Sequence, residues 1–325
     1  MKMNILFVST GNLKEVMLST KHLSKLKNNN YNITIITSRP DVFEGVQSYF
    51  RKVEVFLMTS ESYLINQNKF FHIIIDEAKC MLSKSLIRQV PGFISQSLMK
   101  ISINKDKIPQ FTSDDYHFRL STPPIDKIYA KFMTAYAERP TIHFGINVGD
   151  GFEDIESDDC YMTKRLPTSL VVKIIQMIKK RFLMARFYIF GDFDNTGFRS
   201  MCYLSNENLI DMRFVTHAQD IAQAIDACSI FISPDTGYAH IAAATGDRLL
   251  LLAPNIKQGT ITENRSNVYV VYPSQEVECC PCDLCYGLCK MVIMEGIQCF
   301  YFLEEQEIMK GINTLLGKGT QSNED

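Results

Sequence analysis

The chain has 325 residues, 46% hydrophobic and 22% charged, with a net charge of −2. It is too long for one ordinary core, so two soluble globular domains are expected. No run approaches the roughly 20 apolar residues of a membrane span. The opening "MKMNILFVSTG" has no small-residue cleavage site, so no secretory leader is read and the cytoplasm is the expected location. The charge is uneven: residues 1–138 carry 18 Lys and Arg against 12 Asp and Glu, and residues 139–325 carry 16 against 24. A basic first half suits an anionic partner. The acidic second half argues against nucleic acid, because phosphate neutralisation needs clustered Lys and Arg.

In chain order, "NILFVST" is an apolar run closed by Gly11 and reads as a buried strand. A helix with Val16, Leu18, Leu23 and Leu26 follows, and "NNN" at 28–30 is expected to break it. "ITIITS", "VEVFLM" and "FHIIIDE" read as further strands. Strands alternating with helices imply parallel βαβ units. Pro91, Pro109, Pro123 and Pro124 interrupt the next stretch, and "STPP" reads as a linker or a domain edge.

The pattern restarts after "ERP". "TIHFGINVG" is a strand running into a glycine-bearing loop, and "GDGFEDIESDD" is acidic and exposed in expectation. "LPTSLVVKIIQMIKKRF" is an amphipathic helix with Leu170, Ile174, Ile175, Ile178 and Phe182 on one face. Thr168 or Ser169 is its expected N-cap. "ARFYIFGD", "SIFIS" and "RLLLLAP" are strands; "AQDIAQAIDAC", "YAHIAAATG" and "LEEQEIMKGINTLLG" are helices, the last with the option of packing back on the first domain. The sum is an α/β protein of two Rossmann-like domains, 1–138 and 139–325, facing a cleft, with ligands at the carboxyl ends of the strands.

"SPDTGYAHIAAATG", residues 233–246, is the most informative stretch. It lies between a strand and a helix, where unpaired N–H groups and the positive dipole end suit a phosphate or diphosphate. Gly237 permits close approach to the backbone, Thr236 offers a hydroxyl, and His240 lies one turn on, on the same side as Thr236. The plainer reading is that Asp235 or Thr236 caps the helix and His240 packs. His143 and Asn147, on the strand and loop that open the second half, are read as a packed histidine and a turn asparagine, with lining of the cleft as the alternative.

The same stretch resembles the Asp-Thr-Gly-x-x-His-x-x-Ala-Ala signature of glycosyltransferase family 9, the heptosyltransferases of bacterial envelope synthesis. "IHFGINVG" followed by "TKRLPTSLVVKII" resembles the family's loop, lysine and Trp-Pro motif, with Lys164 at the lysine and Leu166-Pro167 in place of Trp-Pro. "YIFGDFDN" resembles its strand leading to an acidic ribose contact. "NILFVSTGNLKEVMLST" resembles its opening strand and Gly-Asp-Val-Leu-Leu-Thr-Thr loop. The resemblance implies a GT-B arrangement and inverting transfer of a heptose-like sugar from a nucleotide-diphosphate donor, ADP-heptose in this family. The acceptor would be a glycan, lipid or protein hydroxyl of the bacterial surface. Peripheral membrane association and self-association are compatible with it.

Residue by residue, the resemblance implies these roles. Glu15 stands where the family has its catalytic Asp, with Lys14-Glu15 in place of Gly-Asp, and Asp150 is a weaker candidate base. Lys164 and the helix start at Thr236-Gly237 would hold the departing diphosphate without a catalytic metal. Asp194 or Asp192 would bind the ribose, and Asp235 and His240 would complete the donor site. The altered Lys14-Glu15 pair also fits a catalytically silent nucleotide-sugar-binding relative.

"CCPCDLCYGLCKMVIMEGIQC" places six cysteines within residues 279–299. In a reducing compartment such spacing reads as metal binding before disulfides. Cys279, Cys282, Cys289 and Cys299 are the favoured ligands of a structural zinc or iron site, with Cys285 the substitute. Many family members carry a Cys-x-Pro-Cys stretch here, and some relatives that modify proteins hold iron in a finger at this place. A loop of free thiols is the alternative.

Overall fold

The computed structural model describes residues 3–11, 13–20, 23, 28–44, 46, 50–59, 71, 73–76, 142–149, 165–191, 209–213, 215, 217–254, 266–275, 292–293 and 296–317. The chain divides into two compact units, Met1–Ser121 and Thr122–Asp325, each built on its own parallel sheet.

In the first unit β1 (Met3–Ser9), β2 (Asn28–Thr37), β3 (Phe50–Leu57) and β4 (Ile73–Asp76) pair in the order β3-β2-β1-β4. All three pairings are parallel. The centre of β1 is wholly buried, Ile5 to Val8 at 0% exposure, as expected of a central parallel strand covered on both faces. The asparagine run is not a break: Asn28 opens β2 opposite Phe50, and the register shifts between Asn28 and Asn32. An irregular strand start absorbs the polar residues that were expected to end a helix. The helix α1 (Leu13–Ser19) buries Val16 and Met17. Ser19 Oγ donates to Val16 O at 2.7 Å, so the 2.6 Å bond between Ser9 and Ser19 is donated by Ser9. That bond ties the end of α1 to the end of β1.

The second unit runs β5 (His143–Asn147), α2 (Thr168–Arg181), β6 (Arg186–Phe190), β7 (Leu209–Asp211), α3 (Ala218–Asp226), β8 (Ile230–Pro234), α4 (Gly237–Thr245), β9 (Leu249–Leu252) and β10 (Val268–Val271). A two-residue hairpin, β11 (Val292–Ile293) with β12 (Gly296–Ile297), precedes α5 (Glu305–Leu315). The six strands β5 to β10 pair in parallel in the order β10-β9-β8-β5-β6-β7. Numbered from β5 and read from the β7 edge, this is 3-2-1-4-5-6, the order of dinucleotide-binding sheets. The chain winds outward from β5 to β7, returns to β8, and winds the other way. The crevice at the carboxyl ends of β5 and β8 is therefore the switch point, where such sheets bind ligands.

The expected face of α2 is the buried one: Leu170, Ile174, Ile175, Ile178 and Phe182 all join one hydrophobic core. Lys179, Lys180 and Arg181 close the helix at its negative dipole end. Its N-cap position is Pro167, with no capping side chain, because the helix already starts at Thr168, one residue before a Thr168 cap and two before a Ser169 cap would start it. The helix α5 turns Ile308, Ile312 and Leu315 inward and packs on β9, β10 and α2 of its own unit. No described helix is long and apolar enough to cross a membrane.

Candidate functional site

The strand β8 is apolar and buried up to Pro234. Asp235 and Thr236 make the turn, and α4 begins at Gly237. Thr236 occupies the N-cap position with extended backbone, φ −131° and ψ 176°, yet its side chain makes no capping bond. Asn147, at the end of β5, explains why. Its Nδ2 donates to Thr236 Oγ1 at 2.8 Å and to Ser233 Oγ at 3.0 Å. Its Oδ1 accepts from Gly149 N at 3.0 Å. Ser233 Oγ in turn donates to Pro234 O at 2.8 Å. Asn147, Ser233 and Thr236 are each fully buried, at 0% exposure. The two strand ends of the switch point are thus joined by one polar network. The Thr236 hydroxyl serves that network, and the first-turn amides of α4 lack the cap that a threonine there ordinarily gives.

His240 lies one turn into α4. Its backbone N–H donates to Thr236 O at 3.2 Å, and its Nε2 lies 3.1 Å from Asp235 Oδ1. The imidazole is 1% exposed and the Asp235 carboxylate 13%, so the pair reaches the surface through the carboxylate. Two neighbouring loops close on the same end of the sheet. Gly191, after β6, has φ +127°, and a Cβ there would come within 2.6 Å of Gly149 O and 3.2 Å of Asn147 Oδ1. Only glycine allows this approach. Leu166 N donates to Val148 O at 3.0 Å, which brings the chain just after Lys164 to the end of β5. Arg165, beside it, is 8% exposed, and burial lowers its guanidinium pKa from the ordinary value.

Among the site residues expected from the sequence, Asp235, Thr236, Gly237 and His240 are together on this turn. Lys164, Asp150, Asp192, Asp194, Cys279, Cys282, Cys285 and Cys289 lie outside the described residues. His143 begins β5, at the end of the strand opposite Asn147. Its Nδ1 lies 3.2 Å from Tyr188 Oη and its ring stacks on Tyr188 at 5.7 Å. Burial, reinforced by Arg186, lowers its pKa; it is a packed histidine, as read. Asn147, read as a turn residue, is instead the joint of the site.

In the first unit Glu15 is exposed in the first turn of α1. Gly11 has φ +132°, and a Cβ built on it would collide with the Glu15 carboxylate. Ser38, after β2, accepts from Gly11 N at 3.2 Å and donates to Gly11 O at 2.8 Å.

Cys299 is 2% exposed within the core of the second unit. Among the described residues no group of three or more His, Cys, Asp or Glu is placed to hold a metal. At the amino ends of β8 and β9, Cys228 and Asp247 lie half-buried beside the exposed Asp226. Burial first, then Asp247 and Asp226, pushes the Cys228 thiol up. Burial, with Asp226 adding to it and the Thr245 hydroxyl opposing it, pushes the Asp247 carboxyl up to about 6.

Neither a family model nor a curated protein matches the sequence. Solved structures do. A glycosyl transferase of family 9 from Veillonella parvula aligns over 98% of this chain and 98% of its own, with 14% identity and a TM-score of 0.69. The ADP-heptose LPS heptosyltransferase II of E. coli aligns over 97% of this chain and 99% of its own, with 14% identity and a TM-score of 0.60. The iron-containing dodecameric glycosyltransferase TibC of enterotoxigenic E. coli aligns over 97% of this chain and 76% of its own, at 12% identity and a TM-score of 0.53. The chain has the fold of these glycosyltransferases. At such identities the likeness is one of architecture, and the residues of the switch point carry the functional argument.

Proposed function

We propose that the chain is an inverting glycosyltransferase. It moves a heptose-like sugar from a nucleotide-diphosphate donor, ADP-heptose in keeping with its heptosyltransferase neighbours, to an acceptor hydroxyl on a bacterial surface glycan, lipid or protein. The observation that carries this reading is the Asn147–Ser233–Thr236 joint. It sits at the switch point of a 3-2-1-4-5-6 sheet and leaves the start of α4 without its side-chain cap.

In this reading the second half, residues 139–325, takes the donor, and the basic first half, residues 1–138, takes the acceptor. The first-turn amides of α4 and Lys164 receive the diphosphate, and Asp194 takes the ribose. The Asp235–His240 pair adjoins those α4 amides. Glu15 removes the proton from the acceptor hydroxyl. The freed oxygen pair attacks the anomeric carbon from the face opposite the diphosphate, whose C–O bond breaks and whose oxygen carries the charge away. Fixed N–H dipoles and an ammonium stabilise that charge without reorganisation. Cys279, Cys282, Cys289 and Cys299 form a structural zinc or iron site, which supplies rigidity and takes no part in transfer.

Calorimetric titration of the purified protein with ADP, GDP and UDP, repeated on Lys164→Ala, tests the donor site. One diphosphate should bind, and the substitution should weaken it about tenfold or more, as loss of a charge-assisted contact implies. Binding of none of the three removes the transferase reading.

A further inference from the structure

The substitution of Lys14-Glu15 for Gly-Asp leaves one question open in the chain itself. A glutamate is one methylene longer than an aspartate, so its carboxylate must be set back to occupy the same place. Gly11 provides the room. With φ at +132° it takes a backbone conformation natural only to glycine. A Cβ there would overlap the Glu15 carboxylate oxygen and lie 3.0 Å from both Cβ and Cδ of Glu15. The carboxylate therefore folds back over the bare α-carbon of Gly11.

Gly11 is itself held. Ser38 takes its N–H at 3.2 Å and its carbonyl at 2.8 Å through a single hydroxyl. This clamps the loop after β1 to the end of β2, 27 residues on. At the other end of α1, the Ser9–Ser19 bond of 2.6 Å fixes the helix to β1. The helix that bears Glu15 is thus pinned on both sides of the carboxylate.

We propose that Gly11 is the seat of the Glu15 carboxylate and that Ser38 is the positioning residue that holds the seat. The inference rests on the reading of Glu15 as the base. Ser38 touches no reacting atom; it acts through Gly11 on Glu15. The longer acid is then a compensated replacement, with its reach taken up by a loop shaped for it.

Full-length protein is assayed with ADP-heptose as the probe donor and water as acceptor, following ADP release. Ser38→Ala should lower kcat about tenfold or more with KM within about twofold, since misplacing a reacting group by about 1 Å costs up to about a hundredfold. Ser38→Thr, which keeps the hydroxyl, should stay within about threefold of wild type. Gly11→Ala should reproduce the Ser38→Ala pattern by displacing the carboxylate directly. The deciding arm is the double variant. In a Glu15→Gln background, Ser38→Ala should cost nothing further, because residues acting through one group are not additive. Equal losses in both backgrounds overturn the inference and make Ser38 a general structural residue. If Glu15→Gln keeps wild-type turnover, the base reading fails instead. A crystal structure of ligand-free Ser38→Ala separates the two without a substrate: the carboxylate should leave the Gly11 α-carbon, and its staying there overturns the proposed seat.

Discussion

Asp247→Asn should stabilise the protein at neutral pH and leave it unchanged in acid. Asp247 lies between α4 and β9, beside Asp226, and Thr245 Oγ1 donates to its Oδ2. Burial and Asp226 raise its carboxyl pKa from an ordinary 3.8 to about 6. The native state therefore binds a proton that the unfolded chain has released between those two values. Below about pH 4 the group is neutral in both states and costs nothing. Stability falls as pH rises through the window and reaches its full loss above about 6. The difference of about 2.2 in pKa, at 1.36 kcal/mol each, sets that loss at about 3 kcal/mol. Asparagine mimics the protonated acid: its oxygen accepts from Thr245 and its amide donates to Asp226. Urea unfolding of both proteins at half-unit steps from pH 4 to 8 reads the difference directly, with other titrating groups cancelling. It should rise from near zero to about 2–3 kcal/mol in favour of the variant. A flat difference, or a variant less stable at pH 7.5, refutes the reasoning.

Asn147→Ala removes three buried hydrogen bonds of 2.8 to 3.0 Å and should destabilise the second unit by about 2–4 kcal/mol in chemical unfolding. It also frees Thr236 to cap α4, so ADP affinity should fall about fivefold, the equivalent of one N-cap. Asn147→Ala with Thr236→Val should recover that affinity, because valine offers no cap; a double variant as weak as the single contradicts the argument. Chelation of the cysteine-cluster metal should lower the unfolding temperature while ADP affinity, measured calorimetrically, stays within about twofold, since a closed thiolate site leaves no position for substrate.

The central strands were legible because their apolar runs are buried on both faces: β1, β6, β8 and β9 fall on "NILFVST", "ARFYIFGD", "SIFIS" and "RLLLLAP", with ends differing by one or two residues. Within the six-stranded sheet the two strands not read, β7 and β10, are its edges. They are only three and four residues long and mostly half-exposed, so neither shows a buried run. Asn28–Asn30 was misread because three polar residues resemble a break, whereas β2 tolerates them at an irregular start. The Asp-Thr-Gly turn was legible because each residue type suits the start of a helix. Asn147 was not, because its bond to Thr236 spans 89 residues and only the fold brings β5 beside β8. The clamp of Ser38 on Gly11 was hidden for the same reason. Thr236 was read as a cap or a ligand donor; its oxygen accepts from Asn147 and does not cap α4, a competition between donors that spacing does not reveal.

The most direct test of the central claim is a crystal structure of the protein with ADP. The account predicts the diphosphate at the first turn of α4, within hydrogen-bond distance of the Gly237 and Ala239 amides and of Lys164, with the Thr236 hydroxyl still on Asn147. ADP bound away from the carboxyl ends of β5 and β8 would contradict it.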